Sequence, residues 1–347
     1  MKTSDFDYVL PPELIAQTPA EPRDHSRFMV LDRAAGTWEH RRFHDLVSYL
    51  DSGDLLVFND SRVLPARLRG TKVGSSGRVE VLLLHRLEQG LWEGLVKPAR
   101  RLKKGAEIRL KGEKGLAGGE VEVSAEVMEE RGDGLRLLRF SDESRLEELG
   151  EVPLPPYIHT PLDQPSRYQT VYARVNGSVA APTAGLHFTP QLLEALKLKG
   201  VKLAFVTLHI GLDTFLPVRT EDPCRHPIHR EYGEIGPQAA QEVNQAKAEG
   251  RRVIAVGTST VRLLEQAALE AGDAVLSPFQ GWADLLLLPG HSFRVVDIMA
   301  TNFHLPRTTL LMLVSAFAGR EFILRAYAEA IKQRYCFYSF GDAMLVL

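Results

Sequence analysis

Short β-forming segments separated by glycine turns fill the middle of the 347-residue chain and constrain its fold more than any other feature. The segments are Arg78–Leu84, Leu91–Lys97, Glu107–Leu110, Glu120–Val127 and Leu135–Phe140. Several short strands at this spacing predict a small antiparallel barrel or sandwich. The region ends at Pro153-Leu-Pro-Pro156, which is typical of a stiff connector.

The flanking regions alternate between apolar strand candidates and helix candidates. Predicted strands are Leu55–Phe58, Val201–Ile210 and Val253–Val256, and predicted helices are Leu192–Lys199, Gln238–Gly250, Val261–Ala271 and Leu310–Ala318. Such alternation predicts a largely parallel sheet covered by helices. The predicted fold class is therefore α/β. One domain with a mixed or parallel sheet, residues 1–62 and 152–347, is interrupted by an inserted all-β barrel, residues 63–151.

The charges are unevenly distributed although the net charge is only −2. From Arg62 to Lys114 there are 14 Lys and Arg residues and five acids, a net charge of +9, which leaves −11 for the remainder. The near-neutral total argues against a dedicated nucleic-acid-binding protein. The basic window nevertheless suggests a local anionic partner. The alternative is that the acidic stretch from Glu120 to Glu151 neutralises this window.

The cellular setting is predicted from cysteine content and from the N-terminus. Two cysteines, Cys224 and Cys336, provide no disulfide framework and no Cys-x-x-Cys zinc motif. The N-terminal residues are acidic and proline-containing where a signal peptide needs a basic start and an apolar run. The apolar run from Leu310 to Ala318 is too short to span a bilayer. We therefore expect a cytoplasmic protein that does not span a membrane.

Three hydroxyl residues, Thr258, Ser259 and Thr260, follow a predicted strand and Gly257 at the start of a predicted helix. Free backbone N–H groups at a helix N-terminus together with hydroxyls suit a phosphate or carboxylate. The lysine and the glycine spacing of a P-loop are absent. The alternative is an ordinary helix N-cap, for which Ser and Thr are common.

Two histidines are candidates for proton transfer because imidazole titrates near neutral pH. His187 lies in the small-residue segment from Gly177 to Phe188, which also contains Thr183. His209 follows Thr207 near the end of a predicted strand, where α/β sheets bind ligands. The alternatives are a tight packing loop around His187 and a core histidine with satisfied hydrogen bonds at 209.

Three further polar segments are candidate contact sites. Asn302, His304 and Arg307 precede an apolar helix, although Thr308 and Thr309 there are equally good caps. Asn59, Asp60 and Arg62 stand at the junction of the two predicted domains, where they either line a cleft or form a polar hinge. His226, His229 and Glu231 invite a metal-binding interpretation, but the zincin H-E-x-x-H spacing is absent, and we favour the alternative of a polar loop that contacts substrate.

These segments in this order resemble the S-adenosylmethionine:tRNA ribosyltransferase-isomerase family of queuosine biosynthesis. The motifs that carry the resemblance are residues 5–8, 14–17, 23–27, 58–62, 153–158, 168–172, 177–189, 256–258, 301–306 and 341–344. Two positions depart from the family's usual pattern: Asp213 replaces a glycine, and His291 replaces an aromatic residue.

The resemblance implies an α/β domain with a smaller β-barrel domain, and it implies a reaction. The ribosyl group of S-adenosylmethionine is transferred to 7-aminomethyl-7-deazaguanine at the wobble position of tRNA and isomerised to an epoxycyclopentanediol. The product is epoxyqueuosine, and adenine and methionine are released. S-adenosylmethionine is then a consumed substrate, with no cofactor or metal. The implied partner is a tRNA with a GUN anticodon carrying the precursor base, bound by a monomer or weak oligomer.

Under this interpretation, we assign hypothetical roles to the candidate residues. His209 and His187 are acid–base candidates, and Asp60 with Arg62 orients ribose or tRNA. Candidate substrate contacts are Thr183, Thr207, Thr258, Ser259, Thr260, Asn302 and His304, and candidate tRNA contacts are Arg100, Arg101, Lys103 and Lys104. Two rival functions remain: a metal-dependent hydrolase that uses His209, His226, His229 and Glu231, and a noncatalytic RNA-binding module built on the basic insertion.

Overall fold

The structure is a computed structural model that describes residues 1–75, 77–112, 122–132, 134–211, 217–228, 230–272 and 275–347. Its strands are β1 (Arg27–Asp32), β2 (Thr37–Arg42), β3 (Leu55–Asn59), β4 (Ser61–Val63), β5 (Arg67–Lys72), β6 (Arg78–Glu88), β7 (Leu91–Lys97), β8 (Glu107–Lys111), β9 (Glu122–Glu130), β10 (Leu135–Phe140), β11 (Val175–Ser178), β12 (Lys202–Leu208), β13 (Glu231–Ile235), β14 (Val253–Val256), β15 (Phe279–Ala283), β16 (Ile298–Asn302) and β17 (Ala343–Val346). Its α-helices are α1 (Leu46–Tyr49), α2 (Leu146–Leu149), α3 (Pro190–Leu198), α4 (Pro237–Ala248), α5 (Thr258–Ala271), α6 (Thr309–Ala318) and α7 (Arg320–Lys332). In these ranges no helix is both long and apolar enough to cross a bilayer.

The chain divides into two compact units. The first consists of Met1–Ser61, Pro156–Val175 and Ala181–Leu347, and the second of Arg62–Pro155 and Asn176–Ala180. Relative to the division predicted from the sequence, the second unit also takes Arg62, residues 152–155 and residues 176–180. The last of these contains most of β11, which pairs with β4 in a separate two-stranded sheet.

The first unit contains a nine-stranded sheet in the order β15-β13-β12-β3-β14-β16-β17-β1-β2. Strands β12, β3, β14 and β16 are mutually parallel, which confirms the predicted α/β class. Of the two predicted types, mixed or parallel, the sheet is mixed: β15, β13 and β12 pair antiparallel, as do β16 with β17 and β1 with β2, whereas β1 and β17 are parallel. The expectation of a largely parallel sheet holds for the central strands β12, β3, β14 and β16. Only a short turn joins β1 to β2, and a connection of that length permits only a hairpin.

Both faces of the central strands are buried. Every residue of β3 and of β14 is buried, and alternate residues belong to different apolar clusters. Leu55 and Val57 join one cluster, whereas Leu56 and Phe58 join the other on the opposite face. Strands covered on both faces read as continuous apolar runs, which is why these two were predictable from the sequence.

The second unit contains a closed barrel of six antiparallel strands in the order β10-β7-β6-β5-β8-β9. The predicted barrel is therefore confirmed, with β5 as the strand that the sequence pattern did not reveal. A Cβ at Gly70 would collide with the Arg109 carbonyl oxygen. The close approach of β5 and β8 at this point therefore requires glycine. Residues 120 and 121 of one predicted segment lie outside the described residues.

Candidate functional site

The parallel strands β12, β3, β14 and β16 end at one edge of the sheet, and a pocket lies among the residues that follow β12, β14 and β16. Its polar lining comprises Thr183, Glu231, Thr258, Ser259, Arg262, Thr301, Asn302, His304 and Thr309. Its apolar lining includes Ile210, Ile228, residues 285–287, Leu310, Leu313 and Tyr338. Five of the predicted substrate contacts, from three distant parts of the sequence, therefore come together: Thr183, Thr258, Ser259, Asn302 and His304.

Helix α5 begins directly after β14, and its first turn forms one wall of the pocket. Gly257 is the N-cap, with a φ of 89° that favours glycine, and no side chain caps the helix. The alternative that the hydroxyls serve as the N-cap is therefore wrong. Thr258 and Ser259 line the pocket, where the first N–H groups of the helix lack intrahelical acceptors. The Ser259 hydroxyl also accepts a hydrogen bond from Asn59 Nδ2 at 3.3 Å.

Thr260 has a different position from its two neighbours. Its hydroxyl donates to the carbonyl oxygen of Val256 at 2.8 Å, and the residue is fully buried. It is not part of the pocket lining. Of the three hydroxyls predicted to hold an anion, the structure therefore presents two to the pocket.

A chain of hydrogen bonds runs from the pocket into the interior of the first unit. The Thr183 hydroxyl donates to Asn302 Oδ1 at 3.2 Å, and Asn302 Nδ2 donates to His187 Nε2 at 3.0 Å. His187 Nδ1 contacts the Ser26 hydroxyl at 2.8 Å. Thr183 and Asn302 line the pocket, whereas His187 lies behind them.

His187 is enclosed on all sides. Its ring stacks on Phe43 with the ring centres 4.8 Å apart, and only 5% of the residue is exposed. Burial lowers the pKa of His187 to about 4, which a hydrogen bond with the Arg23 backbone opposes only in part. The imidazole is therefore neutral at neutral pH.

His304 is a second buried histidine, and it does line the pocket. Its Nε2 lies 3.0 Å from the Thr301 hydroxyl, and its backbone N–H donates to the Tyr327 hydroxyl at 3.0 Å. The Tyr8 hydroxyl donates to the His304 carbonyl oxygen, so two tyrosines hold this residue through its backbone. Burial lowers the pKa of His304 to about 3, and this ring is neutral as well.

An ion pair between Arg262 and Glu231 lies in the pocket wall and was not foreseen. Arg262 Nη1 donates to Glu231 Oε2 at 2.7 Å, and Nη2 donates to the Ala283 carbonyl oxygen at 2.7 Å. The Gly211 N–H donates to the other oxygen of Glu231 at 3.0 Å. Arg262 lies four residues after Thr258 in the same helix, a spacing that places both on one face. That spacing is the sequence signal from which its position was predictable.

Asp60 and Thr207, two other predicted site residues, contact each other away from the pocket. The Thr207 hydroxyl donates to Asp60 Oδ1 at 2.7 Å, and Arg174 donates to Asp60 Oδ2 from both Nε and Nη2, at 3.0 and 2.7 Å. Only 2% of Asp60 is exposed. Both carboxylate oxygens are thus engaged by side chains of the first unit. The other predicted partner, Arg62, is an exposed residue that begins the second unit.

His209 is half-buried directly after β12. Its N–H donates to the Tyr232 carbonyl oxygen at 2.9 Å, and its ring lies parallel to that of Tyr232 with centres 6.5 Å apart. The next residue, Ile210, lines the pocket. Asp213, one of the two departures from the family pattern, lies outside the described residues.

The residues proposed for a metal site do not come together in the described part of the chain, where no group of three or more His, Cys, Asp or Glu side chains is placed to hold an ion. Glu231 is engaged by Arg262, and His229 lies outside the described residues. Arg307, which was predicted with Asn302 and His304 as a candidate contact residue, forms an ion pair with Asp7. Thr308 is the N-cap of α6, since its hydroxyl accepts the Leu311 N–H at 3.3 Å.

The second unit carries a cationic hollow, which we define by Lys72, Arg100, Arg101, Lys103 and Lys104; the acidic residue Glu107 also lines it. The four predicted tRNA contacts are thus neighbours on one surface. Among the described residues, none of these five side chains lies within ion-pair distance of a carboxylate. Other barrel cations do, as Arg86 does with Glu143, Arg109 with Glu122 and Arg69 with Glu151. Neutralisation by the acidic stretch therefore applies to part of the basic window and not to the cationic hollow.

These features define an α/β protein with a polar pocket at the carboxyl edge of its parallel strands and a β-barrel unit that carries a cationic hollow. Among known families, the one described as queuosine biosynthesis protein matches residues 3–346. The chain belongs to this family.

Similar proteins span the full length of the chain. A protein of Dehalococcoides mccartyi strain CBDB1, named S-adenosylmethionine:tRNA ribosyltransferase-isomerase, is 57% identical with complete coverage of both chains. A protein of the same name from Symbiobacterium thermophilum is 52% identical, again with complete coverage of both. The crystal structure of an S-adenosylmethionine tRNA ribosyltransferase from Thermotoga maritima is 41% identical. It covers 99% of this chain and 100% of its own, with a TM-score of 0.57.

Proposed function

We propose that the chain is an S-adenosylmethionine:tRNA ribosyltransferase-isomerase. It transfers the ribosyl group of S-adenosylmethionine to 7-aminomethyl-7-deazaguanine at the tRNA wobble position and isomerises it, and it releases adenine and methionine. The observation that carries this proposal is the full-length identity of 57% to a relative with that name. The pocket and the cationic hollow supply sites of the right chemistry for the two substrates.

We assign S-adenosylmethionine to the pocket at the carboxyl edge. The N-terminus of α5, with the hydroxyls of Thr258 and Ser259, suits the methionine carboxylate, because free N–H groups and the helix dipole favour an anion. The side chains of Leu310 and Leu313 offer apolar surface for the adenine ring. Thr183 and Asn302 provide polar atoms for the nucleoside.

The reaction requires proton transfers but no redox step. A base removes a proton from the ribose carbon next to the sulfonium, and adenine leaves from the anomeric carbon. The ring carbon–oxygen bond beside the deprotonated carbon breaks, so the anomeric carbon becomes an aldehyde as adenine departs with a proton and a vinyl sulfonium remains. The amine of the precursor base adds to the carbon that lost the ring oxygen and gives up a proton, and the carbanion regenerated next to the sulfonium attacks the aldehyde to close the five-membered carbocycle. The resulting alkoxide displaces methionine at the carbon–sulfur bond and closes the epoxide. S-adenosylmethionine is consumed, so the proposal includes no cofactor.

We retain His209 as the proposed proton-transfer group. It follows β12 at the same edge as the pocket, is half-buried, and adjoins the pocket residue Ile210. Asp60 is less suited, because Thr207 and Arg174 engage both of its oxygens. Replacement of a general base costs about 10²–10⁴-fold in rate. His209→Gln is therefore expected to lower kcat by at least about 100-fold while the affinity for S-adenosylmethionine stays unchanged; a kcat near that of the unaltered protein would remove His209 from this role.

We assign the tRNA to the cationic hollow of the second unit. Arg100, Arg101, Lys103 and Lys104 are exposed, and none of the five side chains has a carboxylate partner among the described residues, which suits the phosphates of a polyanion. Lys72 is half-buried, and its Nζ donates to the Arg101 carbonyl oxygen at 3.0 Å. The proposed substrate is a tRNA with a GUN anticodon that carries the precursor base. The proposed setting is the cytoplasm, with the protein acting as a monomer or weak oligomer.

The decisive experiment measures adenine release from S-adenosylmethionine in the presence of tRNA that carries 7-aminomethyl-7-deazaguanine. The same tRNA with guanine at the wobble position is the matched control. Release only with the modified tRNA supports the proposal. Binding of tRNA without release would indicate a noncatalytic RNA-binding protein, and release that stops on chelation would indicate a metal-dependent enzyme.

A further inference from the structure

The hydrogen bonds that link Thr183, Asn302, His187 and Ser26 have a defined direction. Nδ2 of an asparagine amide only donates, so His187 Nε2, at 3.0 Å from it, must accept. The orientation of the amide is supported by the Asp342 carbonyl oxygen, which only accepts and lies 3.5 Å from Asn302 Nδ2. In this orientation Asn302 Oδ1 accepts from the Thr183 hydroxyl at 3.2 Å.

The state of the imidazole follows from that direction. With a lone pair at Nε2, a neutral His187 carries its proton on Nδ1 and donates to the Ser26 hydroxyl at 2.8 Å. A protonated Nε2 would face the Asn302 NH₂ group, donor against donor, and the amide would have to turn over. Since Ser26, His187 and Asn302 are each at most 5% exposed, water cannot compensate for such a reversal.

The direction of these hydrogen bonds determines what the Thr183 hydroxyl presents to the pocket. The hydrogen of the Thr183 hydroxyl is directed toward Asn302 Oδ1, so the Thr183 oxygen can offer the pocket only lone pairs. An acceptor at this point binds an N–H or O–H group of a ligand. In S-adenosylmethionine such groups are the adenine amine, the ribose hydroxyls and the methionine ammonium.

We propose that His187 is a positioning residue that, as the neutral Nδ1–H tautomer, orients Asn302 and thereby makes Thr183 Oγ1 a hydrogen-bond acceptor for a donor group of S-adenosylmethionine. This inference rests on the proposed function, and it replaces the acid–base role considered for His187. It agrees with the position of the ring behind the pocket wall, where both nitrogens already have partners.

The tautomer is tested first, on the unaltered protein and without reference to activity. We expect the ¹⁵N spectrum of the His187 ring, identified by its loss in His187→Gln, to show a protonated Nδ1 and an unprotonated Nε2 from pH 6 to pH 8. A ring that titrates in this range, or one protonated at Nε2, would overturn the proposal. Because no turnover is required, this result is independent of the proposed reaction.

Kinetic variants test the function of the chain of hydrogen bonds. The amide of His187→Gln has an oxygen that can accept from Asn302 and an NH₂ that can donate to Ser26, so it should stay within about threefold of the unaltered protein in kcat and KM. His187→Ala removes both bonds and should raise the KM for S-adenosylmethionine about tenfold. Thr183→Val should raise the KM by a similar factor, since it removes the acceptor.

A matched control comes from His40, whose Nδ1 lies 2.7 Å from the Tyr335 hydroxyl and which is not part of the pocket. His40→Gln should leave both kinetic constants unchanged. A kcat loss of about 100-fold or more in His187→Gln, together with loss of one limb of the pH–rate profile, would show proton transfer by His187 and contradict the proposal. Rescue of the KM by Gln but not by Ala would support it.

Discussion

Arg262 donates a 2.7 Å hydrogen bond to Glu231 inside the wall of the pocket, where both side chains are almost fully buried. Removal of one partner from a buried ion pair leaves an uncompensated charge, which costs about 3–5 kcal/mol. Arg262→Met should therefore lower the free energy of unfolding, measured by urea denaturation, by about 3 kcal/mol.

The control for this prediction is the exposed pair of Arg230 and Asp284, whose atoms are 3.3 Å apart. Exposed pairs contribute at most about 1 kcal/mol, so Arg230→Met should change stability little. Equal effects of the two substitutions would mean that burial does not distinguish these pairs.

A second prediction separates neighbouring hydroxyls at the start of α5. Thr258 lines the pocket, whereas the Thr260 hydroxyl donates to Val256 and is fully buried. If Thr258 binds the methionine carboxylate, Thr258→Val removes a hydrogen bond to a charged group and should raise the KM for S-adenosylmethionine about tenfold. Thr260→Val should leave the KM within about twofold and cost about 1 kcal/mol of stability. The reverse pattern would show that the carboxylate does not bind at this helix turn.

The elements that were predictable from the sequence are those whose pattern is local. Strands β3 and β14 are apolar on both faces, and α5 follows its strand through one glycine, so all three were identified to within a few residues. Strand β5 was missed because its sequence, RLRGTK, has a single apolar residue, Leu68, among three charged residues and therefore lacks the apolar–polar alternation that marks a strand. A mixed sheet was among the predicted types, but the strands that pair antiparallel could not be named, since strand direction depends on long-range pairing, which a single segment does not encode.

The same distinction between local patterns and long-range packing applies to the residues of the candidate site. Thr258 and Ser259 line a pocket, and their position at a sheet edge was predictable because the strand–glycine–helix order by itself puts them there. The proposed role of His187 depends on Asn302, 115 positions away, and on enclosure by Phe43. Burial and partners of this kind arise from tertiary packing, so the motif indicated a candidate residue without its protonation state.

The low pKa values of the two buried histidines predict how the free energy of unfolding changes with pH. Burial lowers the pKa of His187 to about 4 and that of His304 to about 3, against about 6.5 in an unfolded chain. Between these values the unfolded chain binds more protons, so the free energy of unfolding falls as the pH is lowered from 6.5. Each histidine should cost about 2 kcal/mol between pH 7 and pH 5. Urea denaturation at pH 7 and pH 5 measures the loss of unfolding free energy between these two values. In His304→Gln this loss should be smaller than in the unaltered protein by about 2 kcal/mol. An identical loss in the variant and the unaltered protein would contradict the prediction.

If the cationic hollow binds tRNA, the affinity for tRNA should fall as the salt concentration rises. Each phosphate bound by Lys or Arg contributes about one unit to the slope of log affinity against log salt concentration. Replacing Arg100, Arg101, Lys103 and Lys104 by Gln should weaken tRNA binding at low salt and flatten that slope by about one unit for each phosphate that the variant no longer binds. The affinity is measured by filter binding between 50 and 200 mM salt, roughly the range over which such interactions weaken most.

A matched variant uses four barrel arginines that already have carboxylate partners: Arg69 with Glu151, Arg86 with Glu143, Arg131 with Glu93 and Arg139 with Glu88. Replacing these four by Gln removes as much positive charge from the second unit as the hollow variant does, but their charge is locally compensated. If the hollow binds the phosphates, this variant should keep the slope of the unaltered protein. Equal reductions in affinity for the two variants would indicate a response to net charge alone, and an unchanged slope in the hollow variant would place the tRNA-binding surface on the α/β unit.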